Sequence, residues 1–243
     1  MGLKESGLRG SLRSVSTGVG IPDSEADQKL THRWLLDEDS DPFVDLIGDK
    51  DGTNDGTTQV EGGWINGAAR EGNGTDQKID IGTINSFVNQ LGGDWAIAFS
   101  MQTTDTGFNR IIGNETADQT STVRFFTGLS DAEVGVQVED ENDNQTRVVT
   151  DENYANGNPH RVVLNCPDAT NASSYDFWIN QSDVADSVDL DQGTQDNFAD
   201  SNAFAFFGRP DESNYWAGVL DDICFYDSSL TNEEIQSYSN PWP

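Results

Sequence analysis

From Leu30 to Tyr226 the chain is written in short apolar or alternating runs of strand length, separated by clusters of Gly, Asn and Asp. That punctuation constrains the fold more than any motif, because such turn residues reverse a chain every few positions. The runs are LTHRWLL (30–36), KIDIG (78–82), DWAIAFSMQ (94–102), VRFFTGL (123–129), VGVQVED (134–140), TRVVT (146–150), HRVVLNC (160–166), YDFWIN (175–180), FAFFG (204–208) and GVLDDICFY (218–226). In DWAIAFSMQ, Trp95, Ile97, Phe99 and Met101 fall on one face and Ala96, Ala98 and Ser100 on the other, the pattern of a strand buried on both sides. Stretches 48–77 and 181–202 read as long connections rich in Gly, Asn and Asp. The spacing predicts an all-β fold, a two-sheet antiparallel sandwich. One short helix closes it: Thr231 caps, Glu234 completes a capping box three residues on, and Ile235 and Tyr238 give an apolar edge.

Residues 1–27 read differently, as a Gly- and Ser-rich arm ending near Ile21-Pro22-Asp23, so the expected division is an arm over 1–27 and one domain over 28–243. Charge sharpens the boundary. Asp and Glu number 43 against 13 Lys and Arg, a net of −30. Residues 1–20 carry Lys4, Arg9 and Arg13 against Glu5, 3 − 1 = +2, leaving 10 − 42 = −32 for the remainder. Lys4, Arg9 and Arg13 are therefore candidate docking residues. A body this negative repels phosphates, which excludes general nucleic-acid binding. Its acids are scattered between aromatic-rich runs, which reads as a folded protein of a salty medium rather than a disordered chain. There is no run of 18 apolar residues, so no membrane-inserting helix is expected. Residues 1–20 also lack the apolar centre of an export signal. Cys166 and Cys224 leave one bridge open, and the absence of CxxC or a Cys/His cluster excludes structural zinc.

Four stretches then come in a telling order: HRWLLDED (32–39), NDGT (54–57) with GAAREGNGTDQKIDIG (67–82), DWAIAFSMQ, and GVLDDICFYDSSLTNEEI (218–235). Together they resemble the concanavalin-A-like, laminin-G-type jelly-roll lectin superfamily over about residues 28–243. Gly72 stands where that family usually has an aromatic, Pro159 where it often has Trp, and Asn180-Gln181 where its hairpin is commonly Asn-Gly. The resemblance implies a jelly roll with lectin-like binding. It also implies a structural calcium ion (Ca2+) on Asp221, on Asp37 or Glu38, and on the Gly74 carbonyl. Strand alternation places Asp221 with Val219, Ile223 and Phe225, and a carboxylate facing the core must be paired, coordinated or bonded to backbone N–H groups. GLRGSLRSVS is similar to the starting segments of haloarchaeal tailed-virus structural proteins. That likeness implies a virion component, docked on other virion proteins through residues 1–20 and assembled as a symmetric homo-oligomer.

Relatives of this fold that cleave β-glucans set Glu, Asp and Glu at two-residue intervals on one strand. Here Glu25-Ala26-Asp27 and Glu141-Asn142-Asp143 start the pattern without the third acid, and His32 and His160 have no Gly-x-Ser-x-Gly serine to serve. No enzyme activity is expected. Tyr215 and Trp216, before the last strand, are the candidate sugar platform, with Phe108, Tyr154 and Tyr175 near other turns. Core packing is the competing role for Trp216, and it is the role read for Trp34, Trp95 and Trp178. Trp242, between two prolines, clamps the terminus or meets a partner. Sequons at Asn73, Asn114, Asn144, Asn171 and Asn180 matter only where a glycosylation machinery meets the chain. The sequence thus points to a non-enzymatic virion adhesion protein that binds host-surface glycans. The alternative is a host extracellular or cell-surface carbohydrate-binding module.

Overall fold

The structure, a computed structural model, describes residues 28–63, 67–88, 90–114, 122–129, 133–195, 198, 203–210 and 213–237. Lys4, Arg9, Arg13, Glu25, Asp27, Tyr238 and Trp242 lie outside the described residues. The first half holds β1 (Leu30–Trp34), β2 (Thr53–Asp55), β3 (Thr58–Glu61), β4 (Ala68–Asn73), β5 (Lys78–Thr83), α1 (Asn85–Val88), β6 (Trp95–Gln102), β7 (Asn109–Gly113) and β8 (Thr122–Thr127). The second holds β9 (Val134–Glu139), β10 (Gln145–Thr150), β11 (Pro159–Cys166), β12 (Asp176–Ile179), β13 (Ser182–Asp183), β14 (Asp186–Gln192), β15 (Ala203–Phe206), β16 (Ala217–Tyr226) and α2 (Asn232–Ser237). The stretches expected to be connections carry strands: 48–77 contains β2, β3 and β4, and 181–202 contains β13 and β14.

The strands form two sheets. The first runs β13-β12-β11-β6-β16-β4-β3, with β1 also on β16, and the second runs β14-β10-β9-β8-β7-β15-β5-β2. Pairing between these strands is antiparallel throughout. The chain is thus the all-β, two-sheet antiparallel sandwich that its punctuation predicts, with one short helix near the C-terminus. Trp95, Ile97, Phe99 and Met101 meet Val123, Phe125, Val136 and Phe206 of the other sheet in a single core. Phe99 and Phe125 join the layers edge to face at 5.6 Å.

β6 is buried on both faces because α2 covers its back. Ala96 and Ala98 pack there with Leu30, Val163, Trp178, Cys224, Tyr226, Leu230 and Ile235 in a second apolar cluster. The capping box holds this helix: Glu234 N–H donates to Thr231 Oγ1 at 3.2 Å and Thr231 N–H to Glu234 Oε2 at 2.7 Å. Lys29 Nζ donates to the same carboxylate at 2.7 Å, tying the start of β1 to the helix.

β16 changes partner midway, pairing with β4 over Ala217–Leu220 and with β1 over Ile223–Tyr226. The register shifts between Asp221 and Cys224, and Asp222 takes φ 46°. One extra residue inverts the alternation, so Leu220, Ile223 and Phe225 enter the core. This corrects the expected placement of Asp221, which pairs with Ser100 and lies on the back of the sheet away from the core. Cys166 belongs to the main core and Cys224 to the back cluster, so the two are free thiols on opposite faces of one sheet. Burial pushes both thiols up to about 12. The departures from the lectin pattern have local reasons. A Cβ on Gly72 would stand 2.5 Å from the Phe207 ring, so only glycine leaves room for that ring. Asn180 and Gln181 take φ 52° and 67° and turn the β12–β13 hairpin without glycine.

Candidate functional site

The outer face of the second sheet is built by simple alternation. Val123 and Phe125 on β8, Val134, Val136 and Val138 on β9, and Val148 on β10 turn inward. Their neighbours Arg124, Gln137, Glu139 and Arg147 therefore turn outward. Register sets Arg124, Gln137 and Arg147 in one row, since Gln137 pairs with Arg124 on one side and Arg147 on the other. Arg147 Nε donates to Asp189 Oδ2 at 2.5 Å, and Gln137 Nε2 donates to Gln145 Oε1 at 2.8 Å. Arg124 Nη2 approaches Glu139 Oε2 at 3.9 Å. Arg147 and Asp189 are only partly buried, so their polar edges remain in reach of solvent, whereas Gln137 is buried between the two arginines.

The next row carries an aromatic stack. A Cβ on Gly135 would lie 2.4 Å from Phe126, so that ring rests across the glycine. Phe108 packs edge-on against Phe126 at 4.8 Å, and the Arg110 guanidinium lies 4.4 Å over the Phe108 ring. Phe108 is 37% exposed and is the aromatic among the exposed large hydrophobic side chains of the described residues. Phe126 is two residues from Arg124, a step of roughly 7 Å along the strand. A ring able to cover the apolar face of a pyranose thus shares a face with the polar row, the buried Phe126 lying between them.

The expected platform is elsewhere, and half of it is not a platform. Trp216 is 0% exposed, donates from Nε1 to Thr127 Oγ1 at 3.2 Å and packs by Phe207 at 5.9 Å. It is a core residue, because Gly218 leaves room for its ring: a Cβ there would stand 2.5 Å away. Tyr215 is half-buried against Gly208. Tyr154 and Tyr175 are buried. The polar row was invisible to sequence reading because only strand register brings Arg124, Gln137 and Arg147 together.

The expected calcium ligands do not converge. Gly74 follows Asn73, whose partner on β16 is Ala217, four residues before Asp221. Four strand positions span about 13 Å, whereas oxygens around one calcium ion lie within about 5 Å of each other. Arg70 brings a positive charge to the 37–41 segment. Its guanidinium donates to the Glu38 carbonyl, stacks 4.5 Å over Phe43 and faces the charges of Glu38, Asp41 and Asp39. Burial raises the Glu38 carboxyl above its ordinary range. Asp37 offers its carbonyl to Gln59 Nε2 at 2.8 Å. No group of three or more His, Cys, Asp or Glu among the described residues is placed to hold a metal, and Gly74 and Asp221 are too far apart to share one calcium ion.

Glu141 and Asp143 sit in the β9–β10 turn, where the neighbouring Asp140 carboxylate accepts the Asn142 and Asn144 N–H groups. His32 is buried against Asp45 at 2.5 Å. His160 is buried beside Tyr154, and that burial lowers its pKa. Neither histidine faces a serine or cysteine in a nucleophile geometry among these contacts.

No protein-family model and no curated protein matches the chain. Solved structures do. The fourth domain of a family 43 extracellular arabinanase from Geobacillus stearothermophilus, in complex with arabinotriose, is similar at TM-score 0.64 and 14% identity, over 86% of this chain and 97% of that domain. The receptor-binding domain of a botulinum neurotoxin of C/D mosaic serotype matches at 0.64 and 13%, over 86% of this chain and 50% of its own. A Trypanosoma rangeli sialidase in complex with sialic acid matches at 0.61 and 11%, over 86% and 32%. The chain thus spans about half of the toxin fragment and a third of the sialidase. At these identities the likeness establishes the β-sandwich fold.

Proposed function

We propose that this chain is a non-enzymatic glycan-binding adhesion domain. The observation that carries the reading is the outer face of the second sheet, where the partly exposed Phe108 ring shares a face with the partly exposed Arg147–Asp189 pair and with Arg124, Gln137 being buried between the two arginines. A flat ring with planar donors and acceptors beside it suits a sugar, which offers an apolar ring face and a rim of hydroxyls. The arabinanase domain supports the reading, being matched over nearly its whole length and solved with a bound arabino-oligosaccharide.

The proposed setting is the particle of a haloarchaeal virus, with the sandwich facing outward and residues 1–27 toward other virion proteins in a symmetric homo-oligomer. The net charge of −30 and the basic excess in residues 1–20 support that setting. The second reading, a host extracellular carbohydrate-binding module, is favoured by the likeness to a domain of an extracellular enzyme. The test is a titration of the full chain with a glycan panel that begins with arabinotriose, in molar potassium chloride. Saturable, sugar-competable binding weakened about tenfold by Phe108→Ala or Arg147→Gln is expected. Release of reducing ends, or no binding across the panel, would overturn the reading.

A further inference from the structure

Among the described residues, the two most exposed large hydrophobic side chains are sequence neighbours: Leu46 at 45% and Ile47 at 51%. They form the tip of a loop that is tied down from within. The buried Asp45 carboxylate accepts N–H groups of Arg33 (3.0 Å), Ile47 (3.2 Å), Gly48 (2.9 Å) and Lys50 (3.1 Å), and meets His32 Nδ1 at 2.5 Å. Burial alone would raise this carboxyl, but those bonds outweigh it and hold it below its ordinary range. Leu46 N–H donates to the Arg33 carbonyl at 2.8 Å, and the Trp34 indole to the Lys50 carbonyl at 2.7 Å. Gly48 is required, since a Cβ there would stand 2.2 Å from His32 Nδ1. A loop so fixed cannot fold its aliphatic tip inward. It presents two apolar side chains with little ordering cost left for a partner to meet.

Charge selects the partner. Residues 37–51 carry seven acids against Lys50, 1 − 7 = −6. An occupant must therefore be both apolar and basic. Residues 1–20 have that composition, with Leu3, Leu8, Leu12, Val15 and Val19 among Lys4, Arg9 and Arg13 and a net of +2. The arm also enters nearby. Lys29, at the start of β1, is pinned to the Ser229 carbonyl and Glu234. Arg33, which binds Leu46, is four residues further on, about 13 Å along the strand. Residues 21–27 separate that segment from the described body; a flexible tether of seven residues would span roughly 15 Å and give an effective concentration of about a millimolar.

We propose that residues 1–20 cover the Leu46–Ile47 tip of their own chain, with Leu and Val side chains on the tip and Lys4, Arg9 and Arg13 against the surrounding acids. The contact is independent of the glycan face. It makes the tip the seat that any docking partner of the arm must compete with. The test places the photo-crosslinking amino acid p-benzoylphenylalanine at position 47 of the full chain, where the side chain is exposed and the fold has nothing to lose. Irradiation is expected to join the tip to residues 1–20 at monomer mass, and Leu8→Asp with Leu12→Asp is expected to abolish the product. A crosslink at dimer mass would overturn the intramolecular seat and make a second copy the occupant. Failure to crosslink to residues 1–20 at either mass would overturn the proposal outright.

Discussion

The two sheets turn unlike outer faces to their surroundings. The back of the first is closed by α2 over Leu30, Trp178 and Tyr226. On the same face Asp222 is held by Arg33 at 2.6 Å and Arg161 at 3.2 Å. The outer face of the second sheet leaves Arg147, Asp189 and Phe108 partly open to solvent. The same two-residue alternation writes both faces, and cover makes the difference. Under a helix every charge has to be paired, because an uncompensated buried charge costs several kcal/mol. In the open, a charged pair can stay half-hydrated and exchange its partner for a ligand. Polar residues of the covered face should therefore act on stability and those of the open face on binding.

The largest expected effect tests the covered face. Arg161→Ala removes one partner of the Asp222 carboxylate and the 2.7 Å donor to the Asp222 carbonyl. Chemical denaturation should show a loss of about 3–5 kcal/mol. A loss comparable to that of Arg147→Gln, whose partly exposed pair is worth about 0.5 kcal/mol, would dissolve the contrast between the faces. Next comes Arg70→Ala, expected to cost about 2 kcal/mol through the lost charged hydrogen bond and its packing on Phe43. Because Gly74 and Asp221 are too far apart to share one ion, the wild-type melting temperature should not respond to calcium or to chelator. A calcium-dependent rise would contradict that account.

Smaller effects sharpen the comparison at its margins. Thr231→Ala removes the cap of α2 and should cost about 1 kcal/mol, measured as a shift of the denaturation midpoint. Asp186, on the edge strand β14, has its carboxyl pushed up to about 6 by burial and by the charges of Asp176, Asp183 and Asp151, against the lowering bond from Phe177 N–H. Its folded pKa exceeds the unfolded value, so its stabilising contribution is complete below about pH 4 and is lost as pH rises through about 6. Asp186→Asn should gain about 1 kcal/mol at neutral pH, after discounting a half-buried group for solvent screening, and nothing in acid. Equal stability of variant and wild type at neutral pH would show the cluster to be fully hydrated.

The strands that sequence reading found are those with two-sided or one-sided burial, such as β6, β9 and β11, where packing writes an apolar period into the text. β14, with the sequence DSVDLDQ, is mostly exposed and has a single partner, so only Val188 and Leu190 alternate in it, too short an apolar period to mark a strand. The capping box of α2 was legible because its chemistry is local. The bulge at Asp221–Asp222 was not, since it follows from β16 changing partner between β4 and β1. For the same reason strand alternation alone puts Asp221 on the opposite face from the one it occupies. Trp216 and Phe108 both follow turn-rich text, and only the tertiary neighbours distinguish the buried ring from the exposed one.

The central claim is that the open face of the second sheet binds glycan while the covered face holds the fold together. Backbone amide shifts of the full chain, followed by NMR as a panel-selected oligosaccharide is added in molar potassium chloride, test it most directly. The account predicts that the shifts concentrate at Phe108 and on β8, β9 and β10 around Arg124, Gln137 and Arg147, with α2 and Trp178 unmoved. Perturbations centred on α2, or confined to Tyr215 and its loop, would contradict it.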